Sequence, residues 1–506
     1  MASRRPNVLM IVTDQEQPWA LRPKALSLEG RDRLAERSTH FTQFHISGSI
    51  CSPCRSVLYT GRHWQDTGVY DNIQRAGGMA AAIPTLGTML QRLGYRTGYR
   101  GKWHVSFLDG GPANDYSGCL KHFGFESYSD LPDVNGPQDG YARDPLTMVE
   151  TRQFFAGAET DERPWFLAVN FINPHDIMFY RAWKGQTKRR TVYNLRSAPD
   201  DPLYAADLEE QLPPNIGTAS LAGKPEAILR CTQVYNAMLG PIPWDNPKVL
   251  HAYRQYYWAC IRDVDRHITG VLDALDRSGQ AEDTIIVFTT DHGELGGAHG
   301  LRDKGSACYR ELCNVPMLIA HPDVSGGRES KALMSQVDVV PTILSIIGAE
   351  ADENLAGFDL SEALSGGSGA RADLGVLLNV GNLIFLDPQV FERVRNGMDL
   401  AQSRALGDYA SRGMARGVFD GRYKFVRWFG ANDHHVPANY ETLTARNDLE
   451  LYDTLLDPYE INNLAQQPDS KRDLLGALNT KCNALIAGEV GSDDGSWLPL
   501  AQLSPR

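Results

Sequence analysis

The chain's longest apolar runs stop abruptly on polar residues. "NVLMIV" (7–12) runs into Thr13-Asp14-Gln15, and "WFLAVNFIN" (165–173) into Pro174-His175-Asp176. "TIIVF" (284–288) leads through two threonines to Asp291-His292-Gly293-Glu294. Short apolar runs rich in branched residues predict strands buried on both faces. "YRTGYRGKWH" (95–104) predicts a strand running into a loop, and "VPMLIAHP" (315–322) a further strand. Helical patterning fills three of the gaps, at 85–94, 251–279 and 337–348. The first two of these helices should stop at Gly94 and Gly279. Strands alternating with helices predict an α/β fold with a mostly parallel sheet covered on both faces. The polar residues would then gather beyond the carboxyl ends of the strands, where open α/β sheets bind ligands.

After residue 370 the pattern changes. "ARGVFDGRYKFVRWF" (415–429) is two strand-like runs around Asp420-Gly421, a hairpin signal. A helical tail follows "ELYDTLLDPYEINNLA" (450–465). The expected organisation is a catalytic α/β domain over 1–369 and a smaller α+β domain over 370–506. Residues 177–250, rich in Pro, Trp and Tyr and without clear periodicity, are expected to be an inserted lid or interface segment.

Composition narrows the function. The chain has 506 residues, 42% hydrophobic and 22% charged, which suits a large globular core. A net charge of −12 argues against a nucleic-acid partner. An anionic substrate is still compatible, provided cations gather locally. The short apolar run after Arg5 ends at Asp14, with no cleavable signal or membrane-length segment behind it. A soluble, cytoplasmic protein with no membrane partner is expected. Eight cysteines in this length make no disulfide scaffold, and most should be reduced.

Cys51 and Cys54 stand in C-x-x-C spacing. A redox pair of that kind belongs to a much shorter thioredoxin-like unit, and a zinc site needs a second Cys/His pair. The wider stretch fits better. Cys51-Ser52-Pro53-Cys54-Arg55, followed by Thr60-Gly61-Arg62, resembles the sulfatase signature C-x-P-x-R with its following T-G-R. "NVLMIVTDQ", "GYRGKWH", "NFINPHD", "TTDHGELGGAHGLRDKG" and "ELYDTLLDPYEINNLA" resemble further blocks of that family, in the same order. Pro53 suits the first turn of a helix, which would put Cys51 at an anion-favouring helix N-terminus.

The resemblance implies an alkaline-phosphatase-like α/β sandwich and a sulfuric ester hydrolase. It implies that Cys51 is converted to formylglycine by a formylglycine-generating enzyme, with Pro53 and Arg55 belonging to the recognised motif. It implies one divalent metal held by Asp14, Gln15, Asp291 and His292 together with residue 51. Many sulfatases carry Asp where Gln15 stands and Asn where His292 stands. Oxygen donors favour Ca²⁺ or Mg²⁺ and imidazole favours Mn²⁺, so Ca²⁺ is expected, with Mn²⁺ and Mg²⁺ open. Arg55 would orient the nucleophile, Lys102 and Lys304 would bind sulfate oxygens, and His104 would be the base. His175 or Lys304 would be the general acid. The expected substrate is a small anionic aryl or alkyl sulfate, and the expected assembly a homo-oligomer. The pairing of Asp14-Gln15 with Asp291-His292 also resembles phosphonate monoester and phosphodiester hydrolases. Glu294 and His299 are expected to stand behind the metal ligands, and His40, His45, His63 and Trp103 to pack.

Overall fold

A computed structural model of the chain describes residues 5–73, 78–108, 116–129, 136–158, 161–350, 354–496 and 498. The large sheet contains β1 (Asn7–Asp14), β2 (Thr39–His45), β3 (Arg96–Gly101), β4 (Ser127–Tyr128), β5 (Trp165–Pro174), β6 (Thr284–Thr290), β7 (Met317–Ala320) and β8 (Arg328–Ser335). Their order is β4-β3-β5-β1-β6-β7-β2-β8. Strand β7 runs antiparallel to β6 and β2, and the other pairings are parallel.

The unbroken apolar runs follow from burial on both faces. Along β1, Val8, Met10 and Val12 feed one hydrophobic core while Leu9 and Ile11 feed the other. The helix Pro247–Arg277 covers the second face through Val264, Ile268, Val271 and Leu275. The helix Val339–Ile346 covers the first through Val340, Ile343 and Leu344. The long helix starts four residues before the predicted position, because Asn246 caps it and Pro247 takes the first turn.

A second sheet joins β9 (Val376–Val380), β10 (Arg412–Phe419), β11 (Tyr423–Gly430) and β12 (Asp448–Asp453) in the antiparallel order β12-β11-β10-β9. The hairpin turns where predicted, with Gly421 at φ +98°. The helix Arg472–Glu489 packs Leu475, Leu478 and Leu485 on this sheet. Buried ion pairs tie the two parts together: Arg371 bonds Asp338 and Glu489 at 2.7 Å each, and His63 Nε2 lies 3.0 Å from Glu489. Trp103 packs among Tyr59, Tyr99, Phe123 and Phe125, as expected. The seven cysteines whose side chains are described are buried and free. Among the described residues no helix is long and apolar enough to cross a membrane.

Candidate active site

The carboxyl ends of β1, β3, β5 and β6 deliver Asp14, Lys102, His175 and Asp291 to one spot. The helix Cys51–Thr60 aims its first residue at the same point. All ten residues of this helix are buried. Gly61, at φ +64°, ends it in the left-handed conformation that glycine adopts at least cost.

Ligand atoms of Asp14, Cys51, Asp291 and His292 lie within 4.8 Å of one another, and all four residues are buried. His292 Nδ1 is 2.9 Å from the Gly293 carbonyl, an acceptor only, so Nδ1 carries the proton. The Nε2 lone pair then faces Cys51 Sγ at 3.3 Å, with carboxylate oxygens of Asp291 and Asp14 at 3.7 and 3.9 Å. A backbone carbonyl fixing one ring nitrogen while the other faces anionic donors is how metal-ligating histidines are oriented. The electrostatics also ask for a cation. Burial and Asp14 push the Asp291 carboxyl up to about 6. Burial opposes a charge on His292, yet Asp291 and Cys51 together outweigh it and raise the imidazole above its ordinary value. The donor set therefore fits a divalent ion.

Cations surround the anions. Lys102 Nζ is 2.5 Å from Asp14 Oδ2, and Arg55 reaches Asp291 at 2.9 Å and Asp14 at 3.2 Å. Arg55 also donates to the Lys102 carbonyl and to Asn170 Oδ1. Burial pushes Asp14 up, but Lys102, His175 and Lys304 outweigh it and hold the carboxyl well below the usual range. Burial and Asp14 push the Cys51 thiol up; Lys102, Lys304 and His292 outweigh them and leave it well below its ordinary value. Lys304 is held charged: burial works against it, and Cys51, Asp303 and Asp14 prevail.

Gln15 sits beside the cluster with its groups engaged. Its backbone N–H donates to Asp291 at 3.2 Å, its amide oxygen accepts from Lys304 Nζ at 2.6 Å, and its amide nitrogen donates to Glu294 and Asp303. His299 lies further back, its imidazole against the Ser220 hydroxyl and the Tyr309 ring. Gln15, His104 and Asp303 have φ of +74°, +54° and +62°. Non-glycine residues in that region are held there by their surroundings, and they concentrate at functional sites.

A cavity of about 210 Å³ opens from this cluster. Lys304, His175, His104 and Asn72 line its polar end. His175 Nδ1 lies 3.0 Å from Asp14 and 3.2 Å from Lys304. Its Nε2 is buried with no hydrogen-bond partner among the described residues. The remaining wall is apolar: Ile50, Met178, Phe179, Tyr193, Tyr235, Met238, Ile384, Phe385, Phe391 and Leu400. The structure thus brings every expected site residue to one place. Sequence reasoning missed Asn72, which accepts from the Ser52 N–H and follows no motif. It also missed Asn170, whose signal was available as an amide in the middle of an otherwise apolar run.

A family model described as Sulfatase matches residues 6–349. The chain belongs to the sulfatase family. Among characterised and uncharacterised sulfatases, YidJ of Escherichia coli K12 is 27% identical over 70% of each chain. The choline-sulfatase of Rhizobium meliloti is 25% identical over 92% of this sulfatase and 84% of that one. Solved structures share the fold at lower identity. A 2-O GAG sulfatase aligns with a TM-score of 0.71 and 20% identity over 96% of this chain and 92% of that one. The phosphonate monoester hydrolase of Agrobacterium radiobacter aligns with a TM-score of 0.69 and 21% identity over 96% of both chains.

Proposed function

We propose that this sulfatase hydrolyses small aryl or alkyl sulfate monoesters through a formylglycine at position 51. The observation that carries the reading is the cavity itself. Its cationic end suits a sulfate group, and its apolar wall suits a hydrocarbon leaving group better than a sugar.

In this reading the aldehyde at position 51 adds water to give a geminal diol. One hydroxyl attacks sulfur and displaces the alcohol, forming a covalent sulfo-enzyme. The second hydroxyl then loses its proton, and the returning carbonyl expels sulfate. Lys102 and Lys304 hold the sulfate oxygens while charge redistributes. Arg55 orients residue 51. His175 or Lys304 protonates the departing alcohol, and the unpartnered Nε2 of His175, on a residue lining the cavity, supports the first choice. His104 takes the proton that releases sulfate. Asp14, Asp291 and His292 would hold a divalent cation, with Gln15 a further oxygen donor beside them; the cation would supply Lewis-acid stabilisation. Two carboxylates favour Ca²⁺, and the imidazole keeps Mn²⁺ as the alternative.

The test is release of sulfate from 4-nitrophenyl sulfate by protein whose intact mass shows the thiol-to-aldehyde exchange. Fully converted protein that releases no sulfate from any aryl or alkyl ester would remove the proposal. A second reading, phosphonate monoester hydrolysis, is motivated by the Asp14-Gln15 and Asp291-His292 pairs. The same aryl group presented as sulfate and as phosphonate monoester decides between them by the ratio of kcat/KM.

A further inference from the structure

The segment from Arg181 to Arg196 carries six cations, namely Arg181, Lys184, Lys188, Arg189, Arg190 and Arg196, and no acid, in a chain of net charge −12. All six are exposed. Among the described residues none of them forms an ion pair, whereas exposed arginines elsewhere do: Arg163 reaches Glu126 and Asp161, and Arg422 reaches Asp453. An acidic protein that leaves six neighbouring cations without an ion pair among the described residues accepts their mutual repulsion, and an anionic ligand would relieve it.

Three of the six line a groove. Arg181, Lys188 and Arg196, with Asn194, Ser197 and Gln138, border an open space of about 580 Å³ where Asp200 is the one acid among the described lining residues. This groove adjoins the catalytic cavity. Phe179 and Tyr193 line the cavity, with ring centroids 6.0 Å apart, while Arg181 and Asn194 line the groove one or two residues further on. Residues two apart have Cα atoms at most about 7 Å apart. The two segments are fastened together, since Arg181 N–H donates to the Arg196 carbonyl at 2.7 Å and Arg196 N–H to the Phe179 carbonyl at 2.9 Å.

From this placement we infer that the Arg181–Lys188–Arg196 groove is a second anion subsite, so that preferred substrates carry an additional carboxylate or sulfate on the leaving group, beyond its apolar body. The inference rests on the reading of the chain as an aryl or alkyl sulfate hydrolase and adds to it a charge requirement. The ester sulfate lies among Lys102, Lys304 and His175; the ring lies against Phe179 and Tyr193; the far anion meets the guanidinium groups.

The experiment compares formylglycine-converted protein with the triple variant Arg181→Gln, Lys188→Gln, Arg196→Gln. Substrates are 4-nitrophenyl sulfate, 4-sulfooxybenzoate, 1,4-phenylene disulfate and the longer 4′-sulfooxybiphenyl-4-carboxylate. Wild-type protein should favour at least one dianionic ester over 4-nitrophenyl sulfate by tenfold or more in kcat/KM. That preference should vanish in the triple variant and shrink as salt rises, because the groove is open to solvent. Which dianion gains most distinguishes carboxylate from sulfate and sets the reach. No preference in wild-type protein, or an equal fall for every ester in the variant, overturns the subsite. Calorimetric binding of the products 4-hydroxybenzoate and 4′-hydroxybiphenyl-4-carboxylate separates this outcome from failure of the hydrolase reading. Product binding that the triple variant loses, in a protein with no turnover, keeps the subsite and discards the reaction; turnover without selectivity does the reverse.

Discussion

The two ends of the candidate active-site cavity are built in different ways. At the polar end Lys102 and His175 follow strand termini and residue 51 opens a helix, with ion pairs fixing this part as Arg55 is fixed to Asp14 and Asp291, while Lys304, His104 and Asn72 come from loops. The apolar end is assembled from Met178, Phe179, Tyr193, Tyr235 and Met238 on one stretch of chain and Ile384, Phe385, Phe391 and Leu400 on another. The first end consists of groups that must meet at fixed positions for any substrate. The second needs only volume and apolar surface. Loss at the polar end should therefore damage every reaction alike, and change at the apolar end should sort substrates.

The largest effect should come from Cys51→Ala, which removes the proposed nucleophile and should lower kcat/KM by about 10⁴-fold or more for all esters. Residual turnover close to wild type in steady-state assays would break the comparison at once. Stripping the proposed divalent ion with EDTA should cost on the order of 10³-fold, and activity should return with Ca²⁺ or Mn²⁺. The ion that restores more activity, measured after buffer exchange, also settles the metal. His175→Ala and Lys304→Ala should each cost about 10²- to 10³-fold. The one that is the acid should show a loss that deepens as the leaving alcohol becomes more basic, read from a series of substituted phenyl sulfates. Tyr193→Ala and Phe385→Leu should cost about tenfold for aryl esters and little for methyl sulfate. An equal loss for both would show that the wall acts on the chemistry as well as on selection. Thermal unfolding of the same variants separates a packing defect from a change in preference.

The difference between the two ends also governs what the sequence reveals. Asp14, Lys102, His175 and Asp291 were legible because each ends a recognisable strand run or sits in a short motif. Their convergence follows from the parallel sheet. The wall was not legible. Met178, Tyr235 and Phe391 look like ordinary core residues, and only long-range packing turns one side of each towards the cavity. The tyrosines and tryptophans of 177–258 read, from pattern alone, as core or interface rather than a substrate platform: Tyr253, Tyr256, Tyr257 and Trp258 are buried core, but Tyr193 and Tyr235 line the cavity. Strands β2 and β8 escaped because their sequences, "THFTQFH" and "RESKALMS", mix polar and apolar residues without the apolar runs of the central strands. Gln15 was legible as a strand-end polar group, but its engagement with Lys304, Glu294 and Asp303 depends on a chain segment some 280 residues away.

The burial of the helix Cys51–Thr60 carries a consequence for maturation. Cys51 is 1% exposed and Arg55 is 0% exposed. On the proposed modification, an enzyme that must grip Pro53 and Arg55 while oxidising Cys51 has no access to them once the sheet has closed over this helix. The conversion therefore has a deadline set by the folding rate of the chain, and a variant that folds faster should emerge from the cell with a smaller fraction of its molecules competent.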